Sequence, residues 1–410
     1  MEKVTKRRHD IDALRVLAFA LLILYHQGMA YVAEWGWHVK SVHQSEALQL
    51  AMLAVNQWRM PLLFLISGAA TYFLFRKLGS GRFLMRRLRQ LLIPLVFGML
   101  VIVPPQAYYE ALSNGVIEPG YLNFLWDYFS FRPWPADSFA GSHIGITWNH
   151  LWYLPYLLCY TLVVIPVAWL LQTVWGSLES WVSGIQAWQL LLLPLLPLTL
   201  YGLYLFPLFG GINHSVVGDW YTHAQFFTFF LIGYLLVSVE APWGLLKRLR
   251  IYLLVAAPLS FGLYLLFNRV LEDGSFAGQT RINLIIIYAN RWLWLLAVLA
   301  WGYHYLNRPF TWLPYATEAV YPWYILHQTI TVTAIFELGS LSLGPVIEPL
   351  LVFTITVVGC LIIHELLVRR QPLLRVLFGL KPMKPSSARN TSPQAQSTSP
   401  HLDSGSPPST

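Results

Sequence analysis

The chain has 410 residues, of which 56% are hydrophobic and only 11% are charged. A soluble domain usually carries about 25% charged residues, so this sequence cannot cover a water-facing surface, and we expect a lipid bilayer to surround much of it. The formal net charge of +8 does not indicate nucleic-acid binding, because the Lys and Arg residues cluster in short loops between apolar segments.

About ten segments have the roughly 20 apolar residues that cross a bilayer. The first follows a basic N-terminus, as in a signal peptide, but it contains Arg15 and His26 and further apolar segments follow, so we interpret it as a retained membrane helix. The predicted spans begin near Ile11, Leu50, Leu91, His150, Trp188, His223, Ile251, Ile282, Thr317 and Pro345.

Basic residues are dense after spans two and ten and recur after spans six and eight, whereas the opposite loops hold few. The positive-inside rule therefore predicts an all-α polytopic membrane protein with both termini in the cytoplasm. Residues 1–384 are predicted to form the membrane domain, and residues 385–410, rich in Ser, Thr and Pro, a disordered cytoplasmic tail. The long outer loop, about residues 109–149, is predicted to be a lid, an acceptor-binding segment or an aromatic belt in the interface.

The first span carries an arginine and a histidine on one helical face. Ten residues lie between Arg15 and His26, and the eleven helical steps return to within about 20° of the same face and cover about 16 Å of the axis. His26 is then expected near the bilayer midplane, with Asp12 placed to pair with Arg15. An ionisable group at that depth indicates function. A neutral imidazole can be a general base; the alternative is a neutral histidine hydrogen-bonded between helices.

Two further motifs lie on opposite sides of the membrane in the predicted topology, one before span three and one at the outer end of span four. The basic loop before span three contains Arg82, Arg86, Arg87 and Arg89, which set topology or also bind phosphates, since guanidinium groups bind phosphate through paired hydrogen bonds. At the outer end of span four, His150 and Trp152 either anchor the helix in the interface or line a site for an acceptor sugar.

Span nine contains a third group of polar residues. Glu318 is predicted near the inner surface, and His327 lies nine residues further on, again near mid-depth. Tyr324 precedes His327 by three residues and therefore shares its face. The histidines are otherwise scattered, and none of their spacings indicates a metal site.

These motifs occur in the same order in the acyltransferase 3 family, which the chain resembles over about residues 8–384. The motifs are Arg15-x10-His26, Pro61–Gly68, Arg86-x-x-Arg89, His150–Tyr153 and Tyr324-x-x-His327. Three other segments look more narrowly like a member of that family that succinylates periplasmic glucans. They are Trp37–Ser41, Arg59–Met60 and Pro372–Phe378.

The resemblance implies an enzyme of the bacterial inner membrane. Its acyl group, acetyl or succinyl, comes from a cytoplasmic acyl-CoA that acts as co-substrate, with no bound cofactor. Its acceptor is a hydroxyl group of an extracytoplasmic glycan. The family's essential histidine falls on His26 and its essential arginines on Arg15, Arg86 and Arg89.

In this interpretation Arg86 and Arg89 bind the donor's phosphates, and His26 removes the proton of the attacking hydroxyl. Arg15 orients the donor or stabilises developing negative charge. Direct transfer and a covalent acyl-histidine are both open. Two other hypotheses fit the buried polar residues: a transporter or flippase of a lipid-linked sugar, and a non-catalytic scaffold for glycan assembly.

Overall fold

The computed structural model describes residues 7–271 and 278–382. This part of the chain is helical, and its only β-type pairing is an isolated bridge between Val32 and Ser45. The predicted tail at residues 385–410, like the last two residues of the predicted membrane domain, lies outside the described residues.

The described residues form sixteen α-helices, several of which end in short 3₁₀ or π turns. In chain order they are α1 (His9–Tyr31), α2 (Leu48–Asn56), α3 (Arg59–Leu78), α4 (Ser80–Phe97), α5 (Pro104–Ser113), α6 (Tyr121–Tyr128), α7 (Tyr153–Ser183), α8 (Ala187–Leu192), α9 (Leu195–Tyr204), α10 (Phe206–Phe209), α11 (Trp220–Leu236), α12 (Ala241–Leu265), α13 (Gln279–Leu306), α14 (Leu313–Gly339), α15 (Gly344–Ile362) and α16 (Pro372–Leu377).

Seven of the described helical segments are long and apolar enough to cross a membrane, and the bent pair of α4 and α5 makes an eighth if it counts as one span. Each of the ten predicted spans begins in a helical segment. Two of those helices fall short of a typical span for different reasons: α11 has only 17 residues, and α14 carries polar residues such as His327 and Gln328. The chain is therefore an all-helical membrane protein.

Close approach of α3 and α11 builds the centre of the bundle. A Cβ atom added to Gly68 would overlap the backbone carbonyl of Phe230, and one added to Gly233 would overlap that of Leu65. Small residues allow helix backbones to pack this tightly in a bilayer, where the lipid gives no hydrophobic drive for association.

Helix α1 packs against α3, α13 and α14, so its side chains face the interior of the bundle. Its outer end is held by Lys40, whose ammonium group donates hydrogen bonds to the carbonyls of Met29, Val32 and Trp35. The last carbonyls of a helix have no intrahelical partner, and a cation there also complements the helix dipole. This cap fixes the helix end nearest His26.

The chain bends by 43° between α4 and α5. A π turn at Gly98–Ile102, followed by Pro104, interrupts the helical hydrogen bonds. The hydroxyl of Thr329 donates to the carbonyl of Ile102 at 2.6 Å, which ties the bend to α14. The bend brings Gln106 of α5 into the core of the site.

The long outer loop is an ordered cap on α5. Its residues and those of α5 and α6 share a small apolar cluster that includes Tyr108, Phe124, Tyr128 and Phe139. Glu110 accepts a hydrogen bond from the backbone N–H of Ala140 at 3.2 Å and lies 2.6 Å from the ring of His38. The loop therefore packs on the outer end of the bundle through its own core.

Candidate active site

Three histidines from distant parts of the sequence meet inside the bundle. His26 comes from α1, His327 from α14 and His150 from the 3₁₀ turn that precedes α7. The rings of His26 and His327 are stacked with centroids 5.1 Å apart, and the ring of His150 lies edge-on to both, 6.4 Å from His26 and 5.2 Å from His327. His26 lies in the outer part of α1, in the last two turns of that helix.

Hydrogen bonds set which nitrogen of His26 is free. Nδ1 of His327 lies 2.8 Å from the carbonyl of Tyr324 and 3.1 Å from that of Trp323. Carbonyls only accept, so this nitrogen carries the proton and Nε2 of the neutral ring accepts. Nδ1 of His26 lies 2.9 Å from that Nε2 and donates to it. The lone pair of a neutral His26 is therefore on Nε2.

Both ring nitrogens of His150 form hydrogen bonds. Its Nε2 lies 3.1 Å from the carbonyls of Tyr324 and Ile325 and donates to them, while its Nδ1 accepts from the side-chain amide of Gln106 at 3.2 Å. The hydroxyl of Tyr324 donates back to the carbonyl of His150 at 2.9 Å. These bonds join the turn before α7 to α14 and hold His150 in one orientation.

Gln106 lies at the centre of a second layer of hydrogen bonds. Its carbonyl oxygen accepts from the side-chain amide of Gln328 at 3.1 Å, and its amide donates to the hydroxyl of Thr329 at 2.6 Å. Gln328 also donates to Asn149 at 3.2 Å. A connected network of buried polar groups rigidifies its members, and this one fixes α5 and α14 around the histidines.

A pocket opens beside the three histidines, with a volume of about 280 Å³ that includes the space at its opening to solvent. Four of the residues proposed from the sequence line it, namely His26, His150, Trp152 and Tyr324, and Tyr153 lines it as well. His327 does not line the pocket and is joined to it through its hydrogen bond with His26. The pocket wall also includes Arg59, which the sequence suggested only as part of a family resemblance.

Trp152 stacks on His214 at the edge of the pocket, with ring centroids 4.2 Å apart. His214 belongs to the segment between α10 and α11, which is also held by Trp148, whose indole N–H donates to the carbonyl of His214 at 3.0 Å. Burial lowers the pKa of His214 from 6.5 to about 4, against a smaller opposing effect of Asp219. The segment is therefore docked with a neutral imidazole at neutral pH.

Arg15, Arg86 and Arg89 do not line the pocket. Asp12 pairs with Arg15 at 3.2 Å, as the spacing predicts, and also with Arg7 at 3.1 Å. Arg86 is half-buried and Arg89 exposed, and neither forms a hydrogen bond or ion pair within residues 7–271 and 278–382.

Arg87, which lies between them in the sequence, points into the bundle. Its guanidinium donates to the hydroxyl of Thr71, and its Nε is buried without a partner, as is Nε of Arg15. Both arginines interact electrostatically with Tyr153, which lines the pocket. The two arginines thus bring positive charge close to the pocket beside Tyr153.

Glu318 lies away from the pocket. Its carboxylate pairs with Arg375 at 3.0 Å and with Arg369 at 3.4 Å, which joins the inner end of α14 to α16 and to the turn after α15. In the described residues no group of three His, Cys, Asp or Glu side chains is arranged to hold a metal ion.

Three residues of the site escaped the sequence reasoning or received no role from it: Arg59, Arg87 and Gln106. The sequence did contain a signal for Arg87. Three arginines within four positions of a helix point in different directions, so at least one must face the interior of the bundle. Gln106 could not be identified, because a single Gln near the end of a predicted span has no distinctive spacing.

The comparisons with known proteins agree with this architecture. The family model described as "Acyltransferase domain", acyltransferase 3, matches residues 8–365. Glucans biosynthesis protein C from Escherichia coli strains SMS-3-5 / SECEC and K12 is 23% identical over 401 residues, covering 92% of this chain and 96% of the relative. No solved structure matches. The family model covers most of the chain, and the helical bundle places the motif residues His26, His150 and Tyr324 around one pocket. This protein therefore belongs to the acyltransferase 3 family and is a membrane-embedded acyltransferase.

Proposed function

We propose that this acyltransferase moves an acetyl or succinyl group from a cytoplasmic acyl-CoA to a hydroxyl group of an extracytoplasmic glycan. The observation that carries the proposal is the ordered pair of His327 and His26, which leaves the lone pair of His26 at a pocket. The name of the relatives, Glucans biosynthesis protein C, supports a glucan as the acceptor.

The donor enters from the inner side in this proposal. Arg15 and Arg87 carry buried guanidinium nitrogens without partners, and guanidinium groups bind phosphates; Arg86 and Arg89 add positive charge at the entrance. Arg15 and His26 are about 16 Å apart along α1. The extended pantetheine arm of coenzyme A suits that separation, since it would carry the thioester from the arginines to the pocket.

The transfer itself needs one base and two bond changes. Nε2 of His26 takes the proton of the acceptor hydroxyl as its oxygen bonds to the thioester carbonyl carbon, and the carbonyl π electrons move to oxygen. The tetrahedral intermediate then collapses and the carbon–sulfur bond breaks. The leaving thiolate takes the proton from His26, so the histidine is restored. His327 holds His26 in the tautomer that this cycle requires.

The same proposal includes the topology. Ten spans with both termini in the cytoplasm place the basic first turns of α4, which the sequence suggested as a loop, inside and the cap on α5 outside. The pocket then receives the donor from the cytoplasm and the acceptor from the other side, past Trp152 and His214. In a bacterium this membrane is the inner membrane, where acyl-CoA is available on one side only.

The test is a mass spectrum of envelope glycans from three strains that carry the wild-type gene, no gene, or His26→Ala. We expect acyl units to be present with the wild type and lost in the other two, because the base is removed while α1 remains intact. His304→Ala, a change at the end of α13, is the matched control and should preserve acylation. Full acylation by His26→Ala would contradict the proposal.

A further inference from the structure

Arg59 is a buried cation without a counter-charge. It is the first residue of α3 and is only 7% exposed. Its guanidinium lies flat on the ring of Tyr25, 3.4 Å from the ring centroid. Its Nε and Nη1 are buried and have no hydrogen-bond partner, and within the described residues no carboxylate forms an ion pair with it.

Such a group is costly in a folded protein. A buried charge is normally paired and fully hydrogen-bonded, and a guanidinium deprotonates too reluctantly to escape the cost by losing its proton. The stacking on Tyr25 and a side-chain hydrogen bond with that tyrosine compensate only in part, because they leave the N–H groups at Nε and Nη1 unused. Arg59 therefore has unused N–H donors that suit an anionic oxygen supplied from outside the chain.

The location of Arg59 identifies where that oxygen would be. Arg59 lines the same pocket as His26, together with His150 and Tyr153. Arg15, the residue that the sequence suggested for stabilising negative charge, does not line it. The pocket thus has a base on α1 and a free guanidinium on α3, which is the pair of groups that acyl transfer to a hydroxyl requires.

We propose that Arg59 binds the carbonyl oxygen of the acyl group as that oxygen becomes an anion during transfer, so that it stabilises the tetrahedral intermediate. This inference rests on the proposed function. In that step the new bond joins the acceptor oxygen to the carbonyl carbon, His26 takes the proton, and the electron pair on the carbonyl oxygen is held by the N–H groups of Arg59. The pair returns when the thiolate leaves.

The stack on Tyr25 explains why an arginine suits this position. The planar guanidinium is fixed by the ring before the donor arrives, so little reorganisation is needed when charge develops. The wall of the pocket also contains Met60, Leu63 and Leu22, and these apolar neighbours lower the local dielectric constant, which strengthens the attraction between the cation and the oxyanion.

The experiment compares Arg59→Gln and Arg59→Lys with the wild type. Membrane vesicles from a deletion strain that expresses each protein receive acetyl-CoA or succinyl-CoA, and the glycan fraction of the deletion strain serves as acceptor. We expect Arg59→Gln to lower kcat by about 10²–10³-fold with either donor that the wild type uses, with the donor KM changed less than about threefold. Arg59→Lys, which keeps the charge, should recover part of kcat.

Arg291→Gln is the matched control. Arg291 of α13 is also partly buried beside a tyrosine, Tyr288, and donates to Gln225 at 2.5 Å, but it does not line the pocket. Its substitution should leave kcat near that of the wild type. If Arg59→Gln does not fold, as measured by thermal unfolding in detergent, the kcat and KM of Arg59→Lys decide the question.

Two results would overturn the inference. One is an unchanged kcat in the Arg59 variants. The other is a loss confined to succinyl-CoA and expressed as a raised KM, which would assign Arg59 to a carboxylate at the end of the acyl chain. A wild type that transfers neither acyl group would instead contradict the proposed function, so the two failures are distinguishable.

Discussion

In the proposed mechanism His327 acts on the reaction through His26, because both of its own ring nitrogens form hydrogen bonds. Its Nδ1 donates to the carbonyls of Trp323 and Tyr324 in its own helix, and its Nε2 accepts a hydrogen bond from His26. The geometry is that of a base and the group that orients it, a relation in which the orienting residue fixes the tautomer. His150 has a different part, since its hydrogen bonds join α5, α14 and the turn before α7.

We expect His327→Phe to lower kcat by at least about 10²-fold with little change in the donor KM, because phenylalanine keeps the ring volume and removes the acceptor for Nδ1 of His26. Steady-state kinetics in membrane vesicles measures both constants. Asn or Gln at position 327, whose side-chain oxygen can accept, should retain more activity than Phe. Equal kcat values for Phe and wild type would contradict the assignment.

The sequence identified the separate members of this site better than their contacts. Arg-x10-His marked His26, and the motifs in spans four and nine marked His150, Tyr324 and His327, because each is polar in an apolar segment. Their meeting depends on how α1, α14 and the turn before α7 pack, which no local spacing encodes. Arg59 was missed for a physical reason: a long arginine side chain near the start of a span can also extend to the membrane surface, so its position alone does not indicate a site.

At the scale of helices, the contact between α3 and α11 depends on two glycines. We expect Gly68→Ala to destabilise the protein by about 1–3 kcal/mol, because its Cβ would overlap the backbone carbonyl of Phe230 and a backbone cannot move aside as a flexible side chain can. Thermal unfolding in detergent measures the change. The control is Gly176→Ala in α7, where a Cβ meets nothing within 4 Å, and there alanine should be neutral or slightly stabilising.

The segment between α10 and α11 should respond to acid. Burial lowers the pKa of His214 to about 4, so the undocked segment, with a pKa near 6.5, binds a proton first as the pH falls. The docked state therefore loses stability from about pH 6.5 down to about pH 4. Asp219 opposes this effect and the charge of Arg59 adds to it.

Hydrogen–deuterium exchange, corrected for the intrinsic rate at each pH, measures this change. Peptides that cover residues 210–219 should exchange faster at about pH 5 than at about pH 7.5 in the wild type. His214→Phe keeps a ring stacked on Trp152 and cannot titrate, so its exchange should not depend on pH. Equal protection of the wild type at both values would show that His214 does not control the docking.

On the scale of the whole molecule, composition alone predicted a membrane-embedded helical bundle, since 11% charged residues cannot cover a soluble surface. The starts of the helices were predicted less well: Leu91 and Ile251 lie well inside α4 (Ser80–Phe97) and α12 (Ala241–Leu265), because the first turns of both helices are basic and do not read as apolar. The number of helices that are apolar enough to be recognised as spans was not predictable, because α14 contains the polar residues of the site and is less apolar for that reason. A helix with such a composition stays in a bilayer only by packing its polar face inside the bundle.

The proposed topology can be tested by labelling cysteines introduced at exposed positions. Gly81, at the start of α4, and Glu118, in the cap between α5 and α6, are both exposed, and the proposed topology places them on opposite sides of the membrane. In a background where Cys159 and Cys360 are replaced by alanine, Glu118→Cys should react with a membrane-impermeant maleimide in intact spheroplasts. Gly81→Cys should react only after the membrane is permeabilised, because arginines such as Arg82 and Arg86 hold that loop in the cytoplasm. The opposite pattern would reverse the direction of acyl transfer that the donor arginines and the outer cap imply.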